Sequence, residues 1–91
     1  MKAREDDPQA RATLEFFGRA RLVLGERERQ VPIGTLADVA RHTEPGLDLM
    51  RGGQLAGDYR IALNGRDLIC DPEIPIGPGE RVVVIDASAG G

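Results

Sequence analysis

The segment Arg81-Val82-Val83-Val84-Ile85 constrains this chain most, because it is apolar at consecutive positions and a strand built from it offers hydrophobic side chains to both faces. Such a strand belongs in the middle of a sheet. It is introduced by Gly77-Pro78-Gly79-Glu80, a turn with proline preset at its second position and glycine where φ must be positive. After it the sequence reads Asp86-Ala87-Ser88-Ala89-Gly90-Gly91. Earlier segments of the chain offer partners for this strand.

Those partners are legible. From Arg11, the residues Ala12, Leu14 and Phe16 alternate with Thr13, Glu15 and Phe17, the period of a strand with one buried face. Gly18 ends it. Residues 19–25 predict a short helical link to a second strand over Glu28 to Ile33, which pairs with the first as a hairpin-like antiparallel unit. Thr35 followed by Asp38 is a capping-box pattern, and Leu36, Val39 and Ala40 share one helical face, so a helix is expected until Thr43 or Glu44, ahead of Pro45. Tyr59, Ile61 and Leu63 predict a further strand, and Asn64-Gly65 a tight turn into another around Arg66 to Ile69. Asp71-Pro72 and Ile74-Pro75-Ile76 read as irregular. Over Leu47 to Gly57 a short helix competes with a glycine-rich loop, and the pattern does not choose.

One helix and several strands imply an α+β fold, and a right-handed crossover would set the first and last strands parallel at the sheet centre. That is the β-grasp, or ubiquitin-like, arrangement, with a mixed sheet of four to five strands and one main helix on one face. Residues 1–9, which carry the Glu5-Asp6-Asp7-Pro8 break, are expected to be a flexible extension; residues 10–86 are the domain and 87–91 a flexible tail.

Ninety-one residues build one modest core, with little room for a deep substrate cavity. A formal net charge of -3 supplies no excess cation for nucleic acid, and no run approaches the ~18 apolar residues of a membrane span. The lone Cys70 has no partner thiol and no histidine cluster at metal spacing, so no metal site is expected. With no signal-peptide pattern at its start, the chain is expected to be cytoplasmic.

Five motifs in order carry a family resemblance: LEFFGRAR at Leu14 to Arg21, GTLADV at Gly34 to Val39, ALNG at Ala62 to Gly65, GPGERVVVI at Gly77 to Ile85, and Gly90-Gly91. Together they resemble the MoaD/ThiS group, the small subunit of molybdopterin synthase and the thiamine-pathway sulfur carrier. Members serving molybdopterin commonly place two prolines between the last strand and the tail, where this chain has Asp86-Ala87. Thiamine carriers are generally shorter.

The resemblance implies a sulfur carrier, a protein co-substrate rather than an enzyme, with no permanently bound cofactor. A ubiquitin-activating-like adenylyltransferase would use ATP to adenylate the Gly91 carboxylate, and a sulfur-donating enzyme would convert it to a thiocarboxylate. A sulfur-accepting biosynthetic enzyme for molybdopterin, thiamine or a related metabolite would then take the sulfur. Ser88, Ala89 and Gly90 are small, as threading of a narrow channel requires. The rivals are a ubiquitin-like modifier that forms isopeptide bonds through Gly91, and a β-grasp binding module whose carboxylate is never activated; terminal glycines also occur as simple frayed ends.

A second element follows from face alternation. With Leu14 and Phe16 given to the helix-covered face, Phe17 lies on the opposite face, where Val83 and Ile85 of the central strand can join it. An exposed apolar patch for partner docking is expected there, unless residues 47–57 fold over it. His42 reads as a helix-end surface residue, Cys70 as a strand-end thiol without a base, and Gly77-Pro78-Gly79 as a turn rather than a phosphate loop.

Overall fold

The computed structural model describes residues 10–87; the extension over 1–9 and the tail residues Ser88, Ala89, Gly90 and Gly91 lie outside the described residues. The described chain is an α+β fold around a five-stranded mixed sheet, β2-β1-β9-β6-β7. These strands are β1 (Arg11–Phe16), β2 (Glu28–Pro32), β6 (Tyr59–Leu63), β7 (Asp67–Ile69) and β9 (Arg81–Asp86). β1 and β9 run parallel at the centre, with Leu14 opposite Val82 and Phe16 opposite Val84. β6 closes the other side of β9, pairing Ile61 with Val84 and Ala62 with Val83. The all-apolar strand is thus hydrogen-bonded on both edges, as its sequence demands.

The link between β1 and β2 is α1 (Arg19–Leu24), which Gly25 ends in the left-handed conformation at φ 71°, its N–H donating to the Arg21 carbonyl. After β2 the chain forms the short β3 (Gly34–Thr35) and enters α2 (Leu36–Ala40) through a complete capping box: the Asp38 N–H donates to Thr35 Oγ1 and the Thr35 N–H to Asp38 Oδ2. The helix tightens into a 3₁₀ turn over Arg41–Thr43. There the buried Thr43 hydroxyl lies 2.8 Å from the Ala40 carbonyl and 2.7 Å from that of Leu47, one donor shared by two acceptors.

Two segments that the pattern left open or irregular have defined structure. Residues 47–57 hold neither a helix nor a plain loop but a miniature hairpin, β4 (Met50–Arg51) with β5 (Gln54–Leu55), turned by Gly52 and Gly53 at φ 60° and 78°. Ile74-Pro75-Ile76 contains β8 (Pro75–Ile76), which pairs with β3 and covers the start of α2. In both cases the strand is too short for a period to show.

The core lies on one side of the sheet. Ala12, Leu14, Phe16, Ile61, Val82 and Val84 pack against Leu36, Val39 and Ala40 of α2, and Leu47, Leu49 and Met50 belong to the same cluster. Burial of aliphatic side chains at about 1.5–3 kcal/mol each is the main term holding the fold together. The hairpin over 47–57 completes this core, so the opposite sheet face is left open.

Candidate functional site

On that open face, register sets the neighbours. The row through the sheet reads Glu28, Glu15, Val83, Ala62, Leu68, because Glu15 pairs with Glu28 and Val83, and Ala62 with Val83 and Leu68. One row along, Ile85 pairs with Arg60, and the Phe17 N–H donates to the Val84 carbonyl at 3.1 Å. A shallow hollow results, lined by Glu15, Phe17, Ala62, Gly65, Arg81, Val83 and Ile85. The three residues expected to form a patch, Phe17, Val83 and Ile85, therefore share one surface depression.

Their exposure differs from the simple alternation picture. Phe17 is 41% exposed and Leu68 68%, but Val83 is only 6% exposed and serves as floor rather than rim. This corrects the expectation of an exposed patch at Val83, which sits at the sheet centre with Glu15 and Ala62 directly alongside. Ala62 also lines the hollow and Leu68 is its neighbour on β7, two residues that periodicity missed. The Asn64-Gly65 turn, with φ 55° and 72°, is followed by one further residue, so Asp67 rather than Arg66 faces Leu63. That single-residue offset brings Leu68 beside Ala62 on the open face instead of the core.

Charge frames the hollow on one side. Arg81 Nη1 donates to Glu15 Oε1 and to Glu28 Oε2, each at 3.0 Å. The hydrogen bond that it donates to Glu28, then the one to Glu15, raises the pKa of the Arg81 guanidinium above its ordinary value. The Arg21 guanidinium lies 5.2 Å from the centre of the Phe17 ring, while its Nε donates to the Phe16 carbonyl at 3.1 Å. Phe17 is thereby presented on a braced stem.

The second part of the site is the end of β9. Asp86 Oδ2 accepts the Arg19 N–H at 3.1 Å, and the Ala87 N–H donates to the Asp58 carbonyl at 3.1 Å. The chain is hydrogen-bonded to the fold through Ala87, four residues before Gly91. His42 is exposed in the 3₁₀ turn, and its carbonyl accepts from Arg29 Nη1. Cys70 is an exposed free thiol in a separate hollow beside Leu55, Tyr59 and Arg60. Among the described residues, no group of three or more His, Cys, Asp or Glu side chains could hold a metal ion. No helix among them is long and apolar enough to cross a membrane.

Parallel β1 and β9 at the centre of a five-stranded mixed sheet, with the helix on one face, define a ubiquitin-like β-grasp protein. Solved structures share this fold. The Haloferax volcanii HVO 2177 protein superposes with a TM-score of 0.75 at 27% identity, over 99% of this chain and 94% of that one. SAMP1 of Haloferax volcanii gives 0.72 at 18% identity, over 89% and 99% of the two chains. A second structure, of small archaeal modifier protein 1 from the same organism, gives 0.67 at 18% identity, over 82% and 94%. No protein-family model matches the chain, and no curated protein does.

Proposed function

We propose that the chain is a carrier whose reactive group is the Gly91 carboxylate, adenylated by a ubiquitin-activating-like enzyme and converted to a thiocarboxylate that donates sulfur in biosynthesis. The observation that supports this most is the passage of the central strand β9 into Ser88-Ala89-Gly90-Gly91, four residues without a bulky side chain. A carboxylate is a poor electrophile at neutral pH, so ATP-driven transfer of AMP supplies the leaving group that a sulfur nucleophile then displaces. The open sheet face is where the adenylating partner docks. Its apolar floor and the flanking Arg81-Glu15-Glu28 cluster combine a desolvated anchor with charges that fix orientation.

A second reading is supported by the shared fold with small archaeal modifier protein 1: the same activated carboxyl forms an isopeptide bond with a lysine of another protein. Both readings accord with the cations of the domain. Apart from His42, every cationic residue from 10 to 87 is arginine, and the sole lysine is Lys2. A guanidinium stays protonated and is no acyl acceptor, so the folded domain gives an activated Gly91 no amine of its own to attack.

ATP–pyrophosphate exchange with the adenylyltransferases of the source organism tests the proposal. Exchange that depends on this chain and disappears with Gly91→Ala supports it. Absence of exchange with every such enzyme refutes it in favour of a binding module. Lysine-linked conjugates accumulating in cells, without a thiocarboxylate, favour the modifier.

A further inference from the structure

β9 ends in a residue that does more than continue the ladder. Asp86 pairs with Tyr59 in the sheet, while its Oδ2 reaches across to accept the N–H of Arg19, the first residue of α1. Gly18, just before, adopts φ 56°, and a Cβ there would come 3.3 Å from Asp86 Oδ2. The positive φ favours glycine at 18, and the close carboxylate leaves a Cβ there little room. The other oxygen, Asp86 Oδ1, is buried and has no hydrogen-bond partner among the described residues. An unpaired buried acceptor works against stability, so Oδ2 alone carries the favourable contact of this carboxylate. One residue on, the Ala87 N–H is held by the Asp58 carbonyl. The end of the sheet is therefore gripped from two sides, by α1 and by the turn that precedes β6.

We propose that Asp86 is a positioning residue: its carboxylate clamps the end of β9 to α1 and so fixes the point and direction from which the last residues leave the fold toward a partner's active site. The proposal rests on the reading of Gly91 as the reactive group. From Ala87 to Gly91 is four residue steps, and at ~3.3–3.6 Å each they span at most roughly 14 Å. With so short a reach, the departure direction decides whether the carboxyl arrives where adenylation occurs. The docking face lies on β1, β6 and β9 and includes neither Asp86 nor Arg19, so loss of the clamp leaves docking intact and impairs delivery.

Two measurements on the full chain test this. The first needs no partner: amide exchange at Arg19 and the ¹⁵N order parameter at Ala87. In Asp86→Ala, exchange at Arg19 speeds up at least about tenfold and the Ala87 order parameter falls, with amides of Leu14 and Val82 unchanged. Asp86→Asn, whose amide oxygen still accepts from Arg19, behaves like the parent. An unaltered Ala87 in Asp86→Ala overturns the proposal. The second is pyrophosphate exchange with the enzyme that activates the chain. Asp86→Ala lowers kcat by about tenfold to a hundredfold with KM for the chain within about twofold, and Asp86→Asn restores kcat. A change confined to KM, or no rescue by asparagine, overturns it. If no enzyme activates even the parent chain, the carrier reading fails, and the amide measurements still decide whether Asp86 clamps the strand end.

Discussion

Phe16 and Phe17 are chain neighbours with opposite fates, and substituting each with alanine separates folding from docking. Phe16 is 0% exposed in the main cluster, so Phe16→Ala costs about 3–5 kcal/mol as transfer plus cavity. For a chain of 91 residues the whole stability is roughly 5–14 kcal/mol, so much of it is lost. Phe17 is 41% exposed, and of the ~200 Å² that a phenylalanine can bury, about 80 Å² is still open to water. Covering that area in a complex contributes about 2 kcal/mol at ~25 cal/mol per Å². Phe17→Ala therefore raises KM for the activating enzyme about thirtyfold with kcat nearly unchanged. On the same coefficient, the ~120 Å² that Phe17 already covers in the free fold sets its cost to stability at no more than about 3 kcal/mol, the lost stacking of Arg21 included. Urea unfolding and pyrophosphate-exchange kinetics on the two variants make the comparison. A Phe17→Ala protein that is folded under the assay conditions and keeps the parent's KM would refute the assignment of this face to docking.

Three further outcomes follow from particular contacts. The Thr35 N–H holds the Asp38 carboxyl below its ordinary value of 3.8, so this capping contribution is present above the unfolded-state pKa and fades as pH falls through the lower folded one. Asp38→Ala should cost about 1 kcal/mol at neutral pH, with the gap from the parent closing below about pH 4 in parallel urea titrations. Leu49→Ala should cost about 2–5 kcal/mol in the same assay, because Leu49 is 0% exposed within a segment whose pattern leaves helix and loop open. Any conjugate of this chain with itself should join Gly91 to Lys2 or to an α-amino group and never to residues 10–87, as tandem mass spectrometry of the linked peptides will show.

The sequence carried the sheet centre because consecutive β-branched residues at 82–85 leave a strand no solvent face, and it carried β1 through a clean period of two. The capping box of α2 was legible for the same reason, a side-chain pattern with one geometric use. Pairs of residues such as Met50–Arg51, Gln54–Leu55 and Pro75–Ile76 are shorter than any period, and only tertiary pairing makes them strands. Leu68 escaped because its face depends on one extra residue after a turn. Face alternation brought Phe17, Val83 and Ile85 together but could not foresee how deep Val83 lies, since burial at the sheet centre depends on the strands on either side. Asp86 carried no local signal at all, its partner being 67 residues away in sequence.

The central claim is that the terminal carboxyl of Gly91 is the group that carries sulfur. Intact-mass measurement of the chain isolated from its own host, with the thiocarboxylate protected from hydrolysis, addresses it most directly. The account predicts a species heavier than the plain acid by the mass difference between one sulfur and one oxygen, with the change confined to the C-terminal peptide and absent when Gly91 is removed. A chain found only as the free acid, in cells whose other thiocarboxylate proteins are charged, would contradict it.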